Sequence, residues 1–243
     1  MKCAFALAAF ACAAAACAPA LRDHDRSEVI GRILASTVQL RSERDAGVRR
    51  AASGVVVATD PGSRRAWIVT ARHFVDPPAQ QEVYVRLPGR TSVTRAEIAF
   101  VSPEHDLAVI TAGPLDVTPV HLKELASLGE EIMIVAFPWG RRFTVVAGVV
   151  SQIAAPEGQV LLVGPVRMVD ASVSYGSSGG GVFDARSGEL IGVVEGHRTA
   201  KVTVPAMRDR PLEVPVAGET TVVATPAILR ILEDAGLGRF VQR

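Results

Sequence analysis

Short apolar runs of strand length recur along most of this chain, and turns rich in Gly, Pro, Asp and Arg separate them. No helical periodicity interrupts the series, and many short strands with regular turns are typical of sandwiches and barrels. A break at residues 113–125 suits a crossing between two lobes. We therefore predict an all-β fold with strands at residues 37–40, 54–58, 66–70, 82–87, 96–101, 107–111, 131–136, 144–153, 160–163 and 166–171.

Two segments show helical spacing instead. Before the first strand, Glu28 stands three residues after Asp25, and apolar residues then recur at helical spacing from 29 to 34. Near the end of the chain, Thr225 and Pro226 supply an N-cap and a first-turn proline, and Gly236 is a stop signal. We predict a short N-terminal helix and a C-terminal helix at about residues 226–235. The proline-containing residues 204–218 are predicted to form a long loop or an irregular hairpin.

The first 20 residues differ from the rest. Lys2 precedes an Ala-rich apolar run too short to span a bilayer comfortably, and Ala18-Pro19-Ala20 has the small-x-small form of a signal peptidase site. Alternatively, residues 14–17 resemble a lipobox with Cys17 as the acylated residue. We predict export to the periplasm or cell envelope, or secretion. Residues 1–20 would be a signal peptide or lipoprotein signal, and residues 21–243 a single domain.

Composition excludes several classes of function. All 3 cysteines lie in the leader, so the processed chain has no disulfide, thiol nucleophile or cysteine metal site. The formal net charge is +1 and the arginine pairs are dispersed, which argues against a nucleic-acid partner. No two histidines have a metal-binding helical spacing, so we predict no metal and no cofactor. Membrane association is expected only through a possible lipid anchor.

A glycine-rich stretch, residues 176–181, holds the hydroxyl pair Ser177 and Ser178 between apolar strands. Glycine allows peptide N–H groups to approach a ligand closely, and a serine on such a turn can attack a carbonyl if a base and an oxyanion site are nearby. A purely structural turn between strands is the commoner meaning of such a tract. A phosphate cradle is disfavoured, because no Lys-Ser or Lys-Thr and no helix follow. The residues after it predict a hairpin instead.

A base and an acid would have to come from elsewhere in the chain. His73 lies three residues after the end of the apolar strand at 66–70, and Asp106 comes directly before the strand at 107–111. Each residue alone is more often structural than catalytic. His105 adjoins Asp106, but neighbours on an extended chain point to opposite sides, so only one of the two would face a shared cleft. His24, His121 and His197 are predicted to be ordinary surface residues.

Four blocks then carry a family resemblance: SGVVVATDPGSRRAWIVTARHFVD, EHDLAVI, AFPWGRRFTVVAGVVSQI and VDASVSYGSSGGGVFDARSGELIGVV. In this order they resemble the trypsin-like (chymotrypsin-fold) serine proteases, specifically the bacterial HtrA/Deg branch. The resemblance implies two six-stranded β-barrels, at about residues 36–112 and 126–224, and polypeptide substrates. It further implies Ser178 as nucleophile, His73 as general base and Asp106 as the residue that orients His73, with an oxyanion hole formed by the N–H groups of Gly176 and Ser178.

The sequence also departs from that family. Ser177 stands where HtrA proteins usually have asparagine, Tyr175 stands where proline is frequent, and no PDZ domain is expected after residue 194. Ser172 matches the floor of the primary specificity pocket and carries no negative charge, which disfavours cleavage after Lys or Arg. We expect an exported serine endopeptidase. A catalytically weak binding or scaffold protein on the same fold is the main alternative, and an esterase using the same triad is a third.

Overall fold

The computed structural model describes residues 26–44, 47–77, 81–203 and 212–241 of the 243-residue chain. The three α-helices of this part are α1 (Arg26–Ser36), α2 (Arg72–Val75) and α3 (Thr225–Asp234), and single 3-10 turns lie at Pro138–Gly140 and Gly238–Phe240. Its strands are β1 (Thr37–Arg44), β2 (Arg49–Asp60), β3 (Arg65–Thr70), β4 (Gln81–Arg86), β5 (Thr94–Val101), β6 (Ala108–Ala112), β7 (Ala126–Ser127), β8 (Glu131–Ala136), β9 (Thr144–Ile153), β10 (Val163–Gly164), β11 (Val166–Asp170), β12 (Gly181–Asp184), β13 (Leu190–Val202) and β14 (Leu212–Ala224).

Twelve of these strands form two closed antiparallel barrels of six strands each. The N-terminal barrel has the order β1-β2-β3-β6-β5-β4 and closes through the pairing of β1 with β4. The C-terminal barrel has the order β11-β14-β13-β12-β8-β9 and closes through the pairing of β11 with β9. The predicted all-β double barrel is therefore confirmed. Closure leaves neither sheet with a free edge.

The continuous apolar runs of the sequence have a simple cause in this architecture. Side chains of a strand alternate between two faces, and here both faces are covered. On β2, Val56 points into the N-terminal barrel, whereas Val55 and Val57 pack between the barrels. On β8, Ile134 points into the C-terminal barrel, and Met133 and Val135 pack between the barrels. Strands β3, β6 and β12 divide their residues in the same way.

Both predicted terminal helices are present, and both add to the core between the barrels. Helix α1 contributes Val29 and Ile33, and α3 contributes Ile228 and Leu232, all of them buried. Thr225 was expected to cap α3 but is its first residue. Its buried hydroxyl donates to Leu190 O on β13 at 2.9 Å, so it attaches the helix to the barrel instead of capping it.

The strand predicted at residues 160–163 was wrong over most of its length. Residues 160–162 do not belong to a strand, and Val160 and Leu162 are largely exposed; only Val163 of the predicted run pairs, in the two-stranded ribbon of β7 and β10. For residues 204–218, the irregular-hairpin alternative is confirmed in the described part: residues 212–218 form the first half of β14, which pairs with β13 through register shifts as far as Val202↔Leu212. His197 therefore lies within a strand. Residues 204–211 are outside the described part of the chain, as are residues 1–25, which include the leader and Cys17.

The described residues contain no helix with both the length and the apolar character needed to cross a membrane.

Candidate active site

His73 is presented by the short helix α2, directly after β3 ends. Its neighbours Phe74 and Val75 are buried in the core of the N-terminal barrel, which fixes the helix and leaves the imidazole outside. The His73 side chain is 54% exposed. Arg50 on β2 donates from Nη1 to His73 O at 3.1 Å and so attaches α2 to β2.

Asp106 meets His73 from the loop before β6. Its carboxylate accepts two hydrogen bonds from the same residue: one from His73 Nδ1 at 2.7 Å and one from the His73 backbone N–H at 2.8 Å. Arg72 Nη1 donates to Ser102 O at 3.1 Å and holds this loop against α2. Asp106, and not the adjacent His105, is the residue in contact with His73.

The contact with Asp106 determines which nitrogen of the His73 ring carries the proton. Burial raises the pKa of Asp106, but the hydrogen bonds from the His73 ring and backbone outweigh it, so the pKa lies below its ordinary value of 3.8. The carboxylate is therefore ionised at neutral pH and only accepts hydrogen bonds. In the neutral ring Nδ1 must then carry the proton, which leaves Nε2 with a free lone pair.

Ser178 lies on the turn between β11 and β12, and this turn is held by backbone hydrogen bonds. Ser178 O accepts from the N–H of Ser53 on β2 at 2.9 Å, so the turn is attached to the N-terminal barrel. Gly179 N donates to Val194 O and Gly180 N to Ser177 O, both at 2.8 Å. Gly179 has a φ of +75°, and a Cβ there would collide with the Thr70 hydroxyl and with Ser53 O, so this position requires glycine.

The peptide between Tyr175 and Gly176 has a defined orientation. Trp139 N donates to Tyr175 O at 2.7 Å. Because a planar trans peptide holds its N–H opposite to its C=O, the Gly176 N–H points away from residues 137–140. The N–H groups of Gly176 and Ser178 donate to no backbone carbonyl of the described residues. As far as the described residues go, neither donor has an acceptor within the protein.

These residues meet at one cavity of about 260 Å³ between the barrels, formed on one side by β2 and α2 and on the other by the serine turn. It is lined by Arg50, Ala51, Ala52, His73, Phe74, Tyr175, Gly176 and Ser178. Three of the residues predicted from the sequence, His73, Ser178 and Gly176, therefore line one cavity, and the fourth, Asp106, contacts His73 without lining the cavity. Acyl transfer requires a hydroxyl, an oriented imidazole and N–H donors close together, and residues that carry these groups line this cavity.

Ser172, the predicted pocket floor, lies apart from them. It lines a second cavity of about 270 Å³ with residues of β8 and β9 and with Ser177. Neither Ser178 nor His73 lines that cavity. Its role in specificity stays a prediction.

Two features of the site were missed by the sequence analysis. Ser53 is fully buried on β2 and bonded to the serine turn; a single hydroxyl at the start of the apolar run at 54–58 was the available signal. An aromatic group formed by Trp139, Tyr175 and His197 stands beside the cavity, with ring centroids 5.2 Å and 6.1 Å from Tyr175. Its members come from three separate segments, so no local pattern connects them.

Two closed barrels with a His-Asp pair and a serine turn between them define the double-barrel class of serine hydrolases. A family model for the trypsin-like peptidase domain matches residues 52–193, and the chain belongs to that family. This family membership agrees with the resemblance to trypsin-like proteases seen in the sequence.

Among proteins similar in sequence is a probable periplasmic DegP-like serine endoprotease of Hahella chejuensis, 30% identical over 143 residues. A protein of the same description from a Marinomonas species is 26% identical over 145 residues. Each match covers 58% of this chain and 28% of the relative, so the chain corresponds to little more than a quarter of either relative.

Solved structures agree in fold. The HtrA-type protease AlgW, solved with a tripeptide, has a TM-score of 0.64 and 19% identity, over 86% of this chain and 63% of its own. The serine endoprotease of Yersinia pestis has a TM-score of 0.63 and 18% identity, over 88% of this chain and 67% of its own. An inactive form of the protease Rv3671c has a TM-score of 0.63 and 20% identity, over 86% of this chain and 93% of its own.

Proposed function

We propose that this protein is an exported serine endopeptidase that hydrolyses peptide bonds with Ser178, His73 and Asp106. The observation that carries the proposal is the cavity shared by Ser178, Gly176 and a His73 ring whose Nδ1 contacts Asp106 at 2.7 Å. The proposed substrates are polypeptides, in keeping with the family.

The proposed reaction begins when Ser178 Oγ attacks the carbonyl carbon of the scissile peptide. As the C–O bond forms, His73 Nε2 takes the hydroxyl proton, and the carbonyl electron pair moves to the oxygen. The N–H groups of Gly176 and Ser178 would receive this oxyanion. Asp106 keeps the ring in the Nδ1–H tautomer and stabilises the imidazolium, so its role is to position and to balance charge.

Collapse of the tetrahedral intermediate breaks the C–N bond, and His73 gives its proton to the leaving amine. The acyl group remains on Ser178 as an ester. A water molecule, deprotonated by His73, then attacks that ester and releases the carboxylic acid with regeneration of the serine hydroxyl. Atoms and charge balance without any metal or cofactor.

Reaction with a fluorophosphonate tests the nucleophile directly. We expect the wild-type protein to be labelled on Ser178 and to cleave casein or a peptide library, and Ser178→Ala to do neither. Ser151→Ala is a matched control, because the Ser151 hydroxyl, on β9, has no hydrogen-bond partner among the described residues. A folded wild-type protein that is neither labelled nor active, but still captures a polypeptide, would support the binding-protein alternative instead.

Export is proposed from the N-terminal residues and from the periplasmic description of both sequence relatives. Mass spectrometry of the mature protein separates the two forms of processing. A chain that begins after Ala20 indicates signal peptidase cleavage, and one that begins with an acylated Cys17 indicates a lipoprotein. A mature chain that retains Met1 would contradict export by either route.

A further inference from the structure

We propose that Ser53 is a positioning residue: from the N-terminal barrel it fixes the peptide groups of the turn that carries Ser178 in the C-terminal barrel. The inference rests on the proposed function, because the turn it fixes is the proposed nucleophile and oxyanion site. Ser53 itself has no solvent exposure and does not line the cavity. It would act only through the residues that do.

All the polar groups of Ser53 are engaged. Its Oγ donates to Gly176 O at 2.8 Å and accepts from Phe137 N at 2.8 Å. Its backbone N–H donates to Ser178 O at 2.9 Å, and its carbonyl accepts from Thr70 Oγ1 at 2.7 Å. One residue of β2 thus reaches β3, residues 137–140 and the serine turn.

The two bonds from Ser53 to the serine turn belong to a series of hydrogen bonds that hold its carbonyl groups. Each of four successive peptide groups, from the one after Tyr175 to the one after Ser178, is held through its carbonyl oxygen. Tyr175 O accepts from Trp139 N, Gly176 O from the Ser53 hydroxyl, Ser177 O from Gly180 N, and Ser178 O from Ser53 N. Ser53 therefore supplies two of the four anchors. Since the peptide groups are planar, holding the carbonyls also sets the directions of the N–H groups.

The same hydroxyl also reaches the residues that carry the first anchor. Phe137 N donates to Ser53 Oγ, and Trp139, whose N–H holds Tyr175 O, lies two residues further along. Loss of the hydroxyl would therefore remove one anchor directly and loosen the support of a second. The peptide that carries the Gly176 N–H lies between these two anchors. This donor is the one that should move.

Ser53→Ala isolates the hydroxyl, because the bonds of the Ser53 backbone to Ser178 O and from Thr70 do not depend on the side chain. The matched control is Ser42→Ala. Ser42 is also fully buried on a strand of the same barrel, yet its hydroxyl has no hydrogen-bond partner in the described chain. The two variants lose the same atom from positions that are both fully buried, so packing effects should be similar. Ser53→Cys keeps a weak donor at the position and should be intermediate.

We expect Ser53→Ala to lower kcat by about 10- to 100-fold with KM changed by less than about threefold, because a misplaced oxyanion donor acts mainly on the transition state. Ser42→Ala should keep wild-type kcat. In hydrogen-exchange mass spectrometry, the segment 174–180 should exchange faster in Ser53→Ala than in Ser42→Ala. A kcat and an exchange rate equal to those of Ser42→Ala would overturn the proposal.

The two readouts separate this inference from the proposed function. If the wild-type protein cleaves no peptide and reacts with no fluorophosphonate, the proposed function fails, and the exchange measurement alone then decides whether Ser53 holds the turn. If the wild-type protein is active and the segment exchanges at the same rate in both serine variants, the function stands and the role of Ser53 is refuted.

Discussion

Replacement of Asp106 by asparagine tests how the imidazole is oriented. Two hydrogen-bond donors of His73 face the carboxylate, Nδ1 at 2.7 Å and the backbone N–H at 2.8 Å. The two donors face different oxygens of the carboxylate, and an amide has an oxygen at only one of these positions and an NH₂ group at the other, so it accepts from only one of the two donors. The backbone N–H cannot change its role. The amide oxygen will therefore face the backbone, and the NH₂ group will face the ring.

This orientation of the amide reverses the tautomer. With an NH₂ donor opposite, Nδ1 must accept, so the ring proton moves to Nε2, the atom that has to take the proton from Ser178. The same replacement in a serine protease triad lowers kcat about 10⁴-fold. At about 1.36 kcal/mol for each factor of ten, this corresponds to about 5.4 kcal/mol of transition-state stabilisation. We expect kcat/KM of Asp106→Asn to fall by about this factor.

The assay is hydrolysis of a peptide substrate at neutral pH, with thermal unfolding measured on the same preparations. Glu104→Gln is the control, because Glu104 belongs to the same loop and its side chain is 58% exposed, with a partner no nearer than Arg230 at 3.8 Å. It should keep wild-type activity. If folded Asp106→Asn stays within about tenfold of the wild-type kcat/KM, the assignment of His73 as a base oriented by Asp106 is refuted.

Two further predictions concern stability and specificity. Burial raises the pKa of Asp184, but hydrogen bonds from Lys123 and from the N–H groups of Arg186 and Ser187 outweigh it and bring the pKa below 3.8. A carboxyl group whose pKa is lower in the folded than in the unfolded state stabilises the fold at pH values above the unfolded-state pKa. This stabilisation is lost as the pH falls through the folded-state pKa. The free energy of unfolding of Asp184→Asn should therefore decrease less than that of the wild type between about pH 5 and pH 3, as urea denaturation would measure; parallel curves would contradict this. Ser172→Asp should raise cleavage after Lys and Arg in a peptide library if Ser172 is the pocket floor, and an unchanged profile would exclude that role.

The fold could be predicted because closure and burial leave a strong pattern. Strands covered on both faces appear as continuous apolar runs, and β8 and β9 were located with their observed bounds. The apolar pattern does not predict strands correctly where strand residues are exposed or where apolar residues are not buried. The second half of β13 is exposed from Arg198 onward, and its strand pairing with β14 comes from backbone hydrogen bonds that leave no apolar signature. The apolar residues 160–162 show the converse, since hydrophobic composition there is not accompanied by burial.

The His73 and Asp106 pair was accessible to sequence analysis for a related reason. Each residue adjoins a buried strand, β3 or β6, and these strands pair directly with the register Thr70↔Ala108. The end of one strand and the start of its antiparallel neighbour lie at the same edge of the sheet, so residues just beyond them meet. Ser53 had no comparable signal, because its partner Gly176 lies 123 residues away in the other barrel.

The departures at Tyr175 and Ser177 raised the question of whether the turn could serve catalysis, and the hydrogen bonds show which atoms matter. Tyr175 is held by its carbonyl, while its side chain is 67% exposed and contacts Trp139. Ser177 is likewise held by its carbonyl and by its N–H, which donates to Ser174 O at 3.0 Å. Neither of these backbone contacts depends on the identity of the side chain. A turn anchored through main-chain atoms tolerates unusual residues at both positions, whereas the Ser53 hydroxyl is a side-chain anchor that substitution would remove.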